Sequence, residues 1–249
     1  MKRKDFLRNS LGLIGIGTVL ADACKKEDGQ ITNATSSEKL MAADEDEFAT
    51  SCVVTPAEKE GPFPYPGGEK NNPLNRVDIR GNRTGILLHH TFTVVNTNAS
   101  CAVVPNARID IWHCDKDGYY SGYANQSGYL GRKSYVGATW LRGFQYTDGN
   151  GQANFTTIFP GWYVGRATHI HMEVFINNVL KKTMQIAFTD SITRQVYNTR
   201  LYKAHGQNTT NNSGDNVFGN SSADLAKEIT NITRDNNILY GSFTIGLAL

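Results

Sequence analysis

From about Cys52 onward, short runs of alternating apolar and polar residues are separated by turn-forming stretches, the texture of strands rather than helices. Ile86 to Val95 reads as a strand ended by Asn96-Thr97-Asn98. Ala107 to Trp112 is a second, with Arg108 and Asp110 on one face and Ile109 and Ile111 on the other. Asp148-Gly149-Asn150-Gly151 predicts a tight hairpin-type turn leading into a strand from Ala153 to Ile158. His169 to Phe175 alternates again. Val174 to Val179 and Thr183 to Phe188 then form a hairpin around Asn177-Asn178, and Ile238 to Leu249 supplies closing strands. Helical periodicity is confined to Ser222–Glu228 and Ser191–Tyr202, and Asn208 to Ser213 is a polar loop. The pattern predicts an all-β fold, a β-sandwich with long loops and few short helices.

The first residues follow a different rule. Lys2-Arg3-Lys4 and Arg8 form a basic start, and Leu11 to Leu20 is an apolar run of roughly ten residues, half of what a membrane-spanning helix needs. Ala21-Asp22-Ala23 precedes Cys24, so residues 1–23 read as a lipoprotein-type signal peptide and Cys24 as the lipidated N-terminus, anchoring the protein to a membrane. Residues 24–50 are polar and acidic and read as a flexible tether, which leaves 51–249 as the folded domain. Lys25-Lys26-Glu27-Asp28 resembles the surface-export tag of some outer-membrane lipoproteins. The expected location is therefore the cell envelope, at the outer membrane and its surface. The formal charge of +2 belongs to the signal: taking its four basic and two acidic residues from 25 and 23 leaves 21 of each. A neutral mature chain without a basic patch excludes nucleic acid as a partner.

The candidate chemistry sits in Pro160-Gly161-Trp162-Tyr163-Val164-Gly165-Arg166-Ala167-Thr168-His169-Ile170-His171. His169 and His171 are two apart on a strand, so both imidazoles project from one face and suit a single metal ion. Tyr163 precedes them in the same loop, and Tyr119, Tyr120 and Tyr123 lie upstream in a Gly-rich stretch. Phenolates are hard anionic ligands, so tyrosine with histidine favours a ferric ion over zinc or copper. A cupin-type centre fits less well, because Glu173 follows His171 too closely and the only later histidine, His205, lies in a polar loop.

These segments resemble the intradiol ring-cleavage dioxygenases. Ile109 to Asp115 with Gly118-Tyr119-Tyr120-Ser121-Gly122 resembles the family's first ligand segment, and Pro160 to His171 its second. Thr55-Pro56 through Glu60-Gly61-Pro62-Phe63 resembles the loop before the core, and Thr183 to Phe188 the strand that carries a glutamine near the metal. The resemblance implies an Fe(III) cofactor held by Tyr120, Tyr163, His169 and His171. Tyr120 would be the phenolate that stays and Tyr163 the one that departs when substrate binds. It further implies that Arg166 stabilises charge on the substrate and that Gln185 hydrogen-bonds nearby. The expected partners are a catechol-type small molecule and O₂, and the expected product a cis,cis-muconate-type dicarboxylate. Catechol 1,2-dioxygenases carry a helical N-terminal dimerisation domain for which this chain has no room, so single-domain exported members are the closer match, with homo-oligomerisation left open. The competing reading is a non-catalytic surface binding module on the same core.

Export makes one disulfide expected among Cys52, Cys101 and Cys114, with one thiol left over. Cys52 and Cys114 both precede active-site segments, which favours that pair. Pocket walls are expected from Gly61 to Pro66 and from Tyr123 to Trp140, including Tyr129, Tyr135 and Trp140.

Overall fold

The computed structural model describes residues 52–64 and 74–249. The expected signal peptide, the Cys24 anchor, the tether, and Tyr65 and Pro66 lie outside the described residues. In chain order the strands are β1 (Leu87–Asn96), β2 (Ala102–Val103), β3 (Arg108–Trp112), β4 (Gln126–Gly128), β5 (Gly131–Lys133), β6 (Arg142–Tyr146), β7 (Gln152–Ile158), β8 (His169–Ile176) and β9 (Val179–Ala187). Two helices follow, α1 (Asp190–Tyr197) and α2 (Ser222–Leu225), and then β10 (Asn231–Asp235) and β11 (Ile238–Leu247). Both helices are shorter than the periodicity suggested, and β10 was not foreseen. The fold class is the expected all-β sandwich.

One sheet runs β10-β11-β1, with β7 and β2 along the far side of β1; the other runs β6-β3-β8-β9. Alternate residues of β1 (Leu88, His90, Phe92 and Val94) point inward and are buried. Leu88, Phe92 and Val94 join one apolar core with Ile109, Ile111, Ile170, Met172, Val174, Met184 and Ile186 from the four-stranded sheet. His90, which stacks on Phe92 at 4.0 Å and bonds Thr230 Oγ1, is held neutral by burial, its pKa pushed down to about 3.

The turn at Asp148 forms, with the Asp148 carboxylate accepting the N–H groups of Asn150 and Gln152. It is not a hairpin, however: β6 before it and β7 after it belong to different sheets. A local turn signal fixes reversal of the chain but not which neighbours the strands find. A true hairpin joins β8 and β9 through Asn177 and Asn178, both at positive φ, as a tight two-residue connection requires.

β3 is buried on both faces, and so is β8 except at its last residue. Ile109, Ile111, Ile170 and Met172 face the core, so Arg108, Asp110, Trp112, His169, His171 and Glu173 share the other side. There the Arg108 guanidinium pairs with Asp110 at 2.5 Å and lies over Phe144 and Phe175. Burial still lifts the Asp110 carboxyl to about 6.

Residues 52–64 form a strap from one sheet to the other. Thr55 exchanges bonds with Gly246 of β11, Glu58 N–H donates to Thr183 O of β9, and Lys59 O accepts from Gln185. Cys52 at its start is disulfide-bonded to Cys101, Cα to Cα 5.6 Å, which corrects the expected Cys52–Cys114 pair. Ser100 and Cys101 both adopt positive φ, and Cys101 N–H returns to Asn96 O, so the chain doubles back beside the end of β1 where the strap begins. Cys114 is instead a free, buried thiol packed with Trp112 and Tyr120.

Candidate metal and active site

Strand register places one row of side chains across the four-stranded sheet: Arg142 is opposite Trp112, Trp112 opposite His171, and His171 opposite Gln185. His169 lies one step along β8 on the same face. Four donor atoms converge above this row. Nε2 of His169 and Nε2 of His171 are 3.0 Å apart. Tyr120 Oη is 3.0 Å from His171 Nε2 and 3.4 Å from His169 Nε2, and Tyr163 Oη is 3.3 Å from His169 Nε2.

Each donor is held differently. Asp115 shapes the loop before Tyr120, its Oδ1 accepting the N–H groups of Asp117 and Tyr119 at 3.0 Å. Gln126 then grips Tyr120 on both sides, accepting its N–H at 2.7 Å and donating to its C=O at 2.8 Å. The two adjacent tyrosines part company there: Tyr119 Oη donates to Gly131 O, while Tyr120 turns to the histidines. The Phe63 ring stacks on Tyr120 with centroids 4.5 Å apart. Arg142 ties these pieces together, donating to Ser121 Oγ, Ser121 O and Phe63 O.

The Tyr163 loop is locked to the Tyr120 loop, since Gly161 N–H donates to Asp115 O. Gly118, at φ +87°, lies so close to Trp162 O that no Cβ fits. Tyr120 is fully buried, whereas Tyr163 is half-buried and adjoins exposed Val164. His169 Nδ1–H donates to Ala167 O at 2.6 Å, which leaves Nε2 as a lone pair aimed at the phenols. His171 has no such bond: among the described residues its buried Nδ1 has no hydrogen-bond partner. Packing orients its ring instead. Trp112 lies parallel to it at 5.2 Å, and a Cβ on Gly61 would come within 2.5 Å of its Cε1.

Burial sets the protonation states. It pushes His169 down to about 3 and His171 well below its ordinary range, with the neighbouring imidazole and Arg166 adding to the effect. It raises Tyr120 well above the usual phenol range, and raises Tyr163 to about 12 against the opposing pull of Arg166. Two neutral imidazoles and two phenols packed this closely in a dry site are the donor set a hard trivalent cation needs, since such a cation would stabilise the phenolates that burial alone disfavours. Among the described residues no group of three or more His, Cys, Asp and Glu side chains comes together, so these histidines are joined by phenols and not by a carboxylate.

Arg166 lies behind the donors, Nη1 3.4 Å from Tyr163 Oη and Nη2 donating to Gln185 Oε1 at 2.6 Å. Gln185 Nε2–H in turn donates to Lys59 O at 2.7 Å. All six of the candidate residues Tyr120, Tyr163, Arg166, His169, His171 and Gln185 therefore fall in one cluster.

The expected pocket wall joins it only in part: Gly61, Phe63 and Tyr123 pack at the cluster, but Tyr129, Tyr135 and Trp140 do not. Tyr135 packs on Trp140, and Tyr129 stacks on His205, both outside the cluster of Trp112, Cys114, Tyr120, Phe63, Tyr123 and Tyr163. The β4–β5 hairpin turns the intervening segment outward. Sequence reasoning also missed Gln126, Arg142 and Asp215. Asp215 accepts Arg166 Nε–H at 2.9 Å, and no motif signals any of the three. His113 bonds Thr157 Oγ1 and Cys114 O rather than any of the four donors.

No family model matches the chain. It is 28% identical over 156 residues to the catechol 1,2-dioxygenase of Acinetobacter baylyi (strain ATCC 33305 / BD413 / ADP1), a match that covers 53% of this chain and 46% of that one. The chain thus spans less than half the length of that relative. An intradiol ring-cleavage dioxygenase from Tetranychus urticae superposes with a TM-score of 0.68 at 29% identity, over 79% of this chain and 94% of that chain. The dioxygenase domain of a dioxygenase carbohydrate-binding protein fusion from Streptomyces sp. SirexAA-E shares the fold at 22% identity, with a TM-score of 0.56 over 79% and 99% of the two chains. These likenesses, and the sandwich the chain shares with them, support the intradiol ring-cleavage dioxygenases as the family it is similar to.

Proposed function

We propose that the protein is a non-haem Fe(III) dioxygenase that cleaves a catechol-type ring between its two hydroxylated carbons, giving a cis,cis-muconate-type dicarboxylate. The observation that carries this reading is the convergence of Tyr120, Tyr163, His169 and His171, whose donor atoms lie 3.0–3.4 Å apart along the measured edges. A ferric ion held by these four would stabilise a bound catecholate and open its ring to O₂. The protein's own groups divide the remaining work. Tyr120, fully buried and gripped by Gln126, is the fixed phenol. Tyr163, half-buried beside Arg166, would be a phenolate while it held the ion, and is the one placed to swing away and take a catechol proton on Oη as it leaves. Arg166 offers a guanidinium edge to negative charge developing on the substrate. Phe63, Trp112 and Tyr123 keep the site apolar and water-poor.

Purified wild-type protein should carry iron and absorb visible light through phenolate-to-ferric charge transfer, and Tyr120→Phe should lose most of that colour or the iron itself. Catechol under ¹⁸O₂ should give a dicarboxylate with both atoms labelled. Stoichiometric zinc without iron, or a yellow semialdehyde product, would overturn the assignment.

The Cys52–Cys101 disulfide favours an oxidising compartment, and with the signal-like first residues it supports a cell-envelope lipoprotein anchored through Cys24. Cys24→Ala should move the protein from the membrane to the soluble fraction with iron still bound. An unchanged distribution would remove Cys24 as the anchor.

A further inference from the structure

Asp215 belongs to none of the recognisable motifs, yet it is one of the most fully used side chains near the site. It is 3% exposed. Its Oδ2 accepts Arg166 Nε–H at 2.9 Å and Ala167 N–H at 2.5 Å, and its Oδ1 accepts Val217 N–H at 2.7 Å and Phe218 N–H at 3.2 Å. A carboxylate has about four acceptor positions, and four donors fill them. Burial works to raise its pKa, but Arg166 and the backbone N–H groups outweigh that, and the carboxyl stays below its ordinary range.

Two of the four donors come from consecutive residues, and each leads to the site by a different route. On Arg166, Asp215 takes Nε and Gln185 takes Nη2, so Nη1 is the nitrogen left facing the Tyr163 phenol. On Ala167, the N–H goes to Asp215 while the C=O receives His169 Nδ1–H. The residue whose carbonyl orients the imidazole, and so fixes which nitrogen presents a lone pair, has its own N–H held by the same carboxylate oxygen that pins the guanidinium.

We propose that Asp215 is a positioning residue for two functional groups at once, directing the free edge of Arg166 toward the substrate and the Nε2 lone pair of His169 toward the metal. It touches no reacting atom. The proposal rests on the iron-dioxygenase reading above and adds to it a residue outside the ligand segments. A bland structural salt bridge would make a different prediction: loss of Asp215 would lower stability and leave the folded site unaltered.

Asp215→Asn separates the two. Its amide offers one acceptor oxygen where the carboxylate offers two, and turns an NH₂ group toward N–H donors. In iron-loaded protein it should shift the phenolate-to-ferric band and lower kcat on catechol about 10²-fold, the scale of losing one well-placed stabilising group, with KM little changed. Placed in an Arg166→Ala background, the same substitution should lower kcat far less, because the two act on one step. The band shift should persist there, since it arrives through His169. If Asp215→Asn does not fold, Asp215→Glu retains the charge but displaces both acceptor oxygens, and should show the same band shift with reduced kcat. Wild-type band and kcat in the folded variant, even with a lowered melting temperature, overturn the positioning role alone. A wild-type protein with no ferric band overturns the iron reading, and the proposal falls with it.

Discussion

The two faces of the four-stranded sheet are cut from the same strands, yet they obey different rules. On the inner face, Ile109, Ile111, Ile170, Met172, Val174, Met184 and Ile186 bury aliphatic surface in one core. On the outer face the alternate residues Asp110, Trp112, His169, His171, Glu173 and Gln185 are equally buried, but they are polar or aromatic and held by directed bonds and stacking. The first face is tolerant in identity and strict in volume, whereas the second is strict in both. Stability and chemistry are thus separated by the thickness of one strand.

That separation can be broken from either side. The largest effect is expected on the outer face. Arg166→Ala should keep the iron and its colour while turnover of catechol falls about 10²–10³-fold, as when one transition-state stabiliser is removed. Near-normal turnover would take Arg166 out of the chemistry. On the inner face, Met172→Ala should cost about 2–5 kcal/mol in denaturant unfolding, the range for truncating a buried core side chain. Its folded fraction should keep the wild-type visible band, and a displaced band would mean that the two faces are mechanically coupled.

A smaller effect tests the ground beneath the strap. Glu228 is fully buried, and burial, reinforced by Glu58 beside it, lifts its carboxyl from 4.5 to about 8. Below about pH 4.5 both folded and unfolded chains hold that proton. Between there and about 8 the folded chain retains a proton the unfolded chain has released, so stability falls with rising pH across this window and then levels off. Glu228→Gln should flatten the decline in melting temperature between pH 5 and 8. An unaltered slope would place the proton elsewhere.

How much of this was legible beforehand depended on the range of the interaction. The period-two pattern around His169 and His171 is local, and strand geometry alone brings the two rings together. The clustering of Tyr120, Tyr163, Arg166 and Gln185 was implied by the resemblance of four ordered segments to a known family, not by any local pattern. Asp215, Arg142 and Gln126 were not legible, because a lone Asp in a loop, or an Arg or Gln at the start of a short strand, has no pattern until the fold brings a guanidinium, a carbonyl or a backbone amide to it. The disulfide failed for the same reason. Proximity to motifs pointed to Cys114, while the reversal at Ser100 and Cys101, visible only in the backbone, delivered Cys101 to Cys52. At Asp148 the turn was read correctly and its consequence was not, since nothing local records that β6 and β7 part to different sheets.

The strap gives the molecule an order of completion. Its bonds reach across the chain: Gly246 N–H finds Thr55 Oγ1 at a separation of 191 residues, and Gln185 finds Lys59 O at 126. Contacts of that span carry the greatest loop-closure cost and arise late in folding. The segment that presses Gly61 against His171 and Phe63 against Tyr120 thus waits for β11, the last strand to be made. A chain emerging from synthesis or translocation would hold its two histidines on a formed strand well before it could shut them away from water. The donor cluster is in this sense a late-sealing site, closed by the same strand that brings Leu239, Phe243, Ile245 and Leu247 to the core.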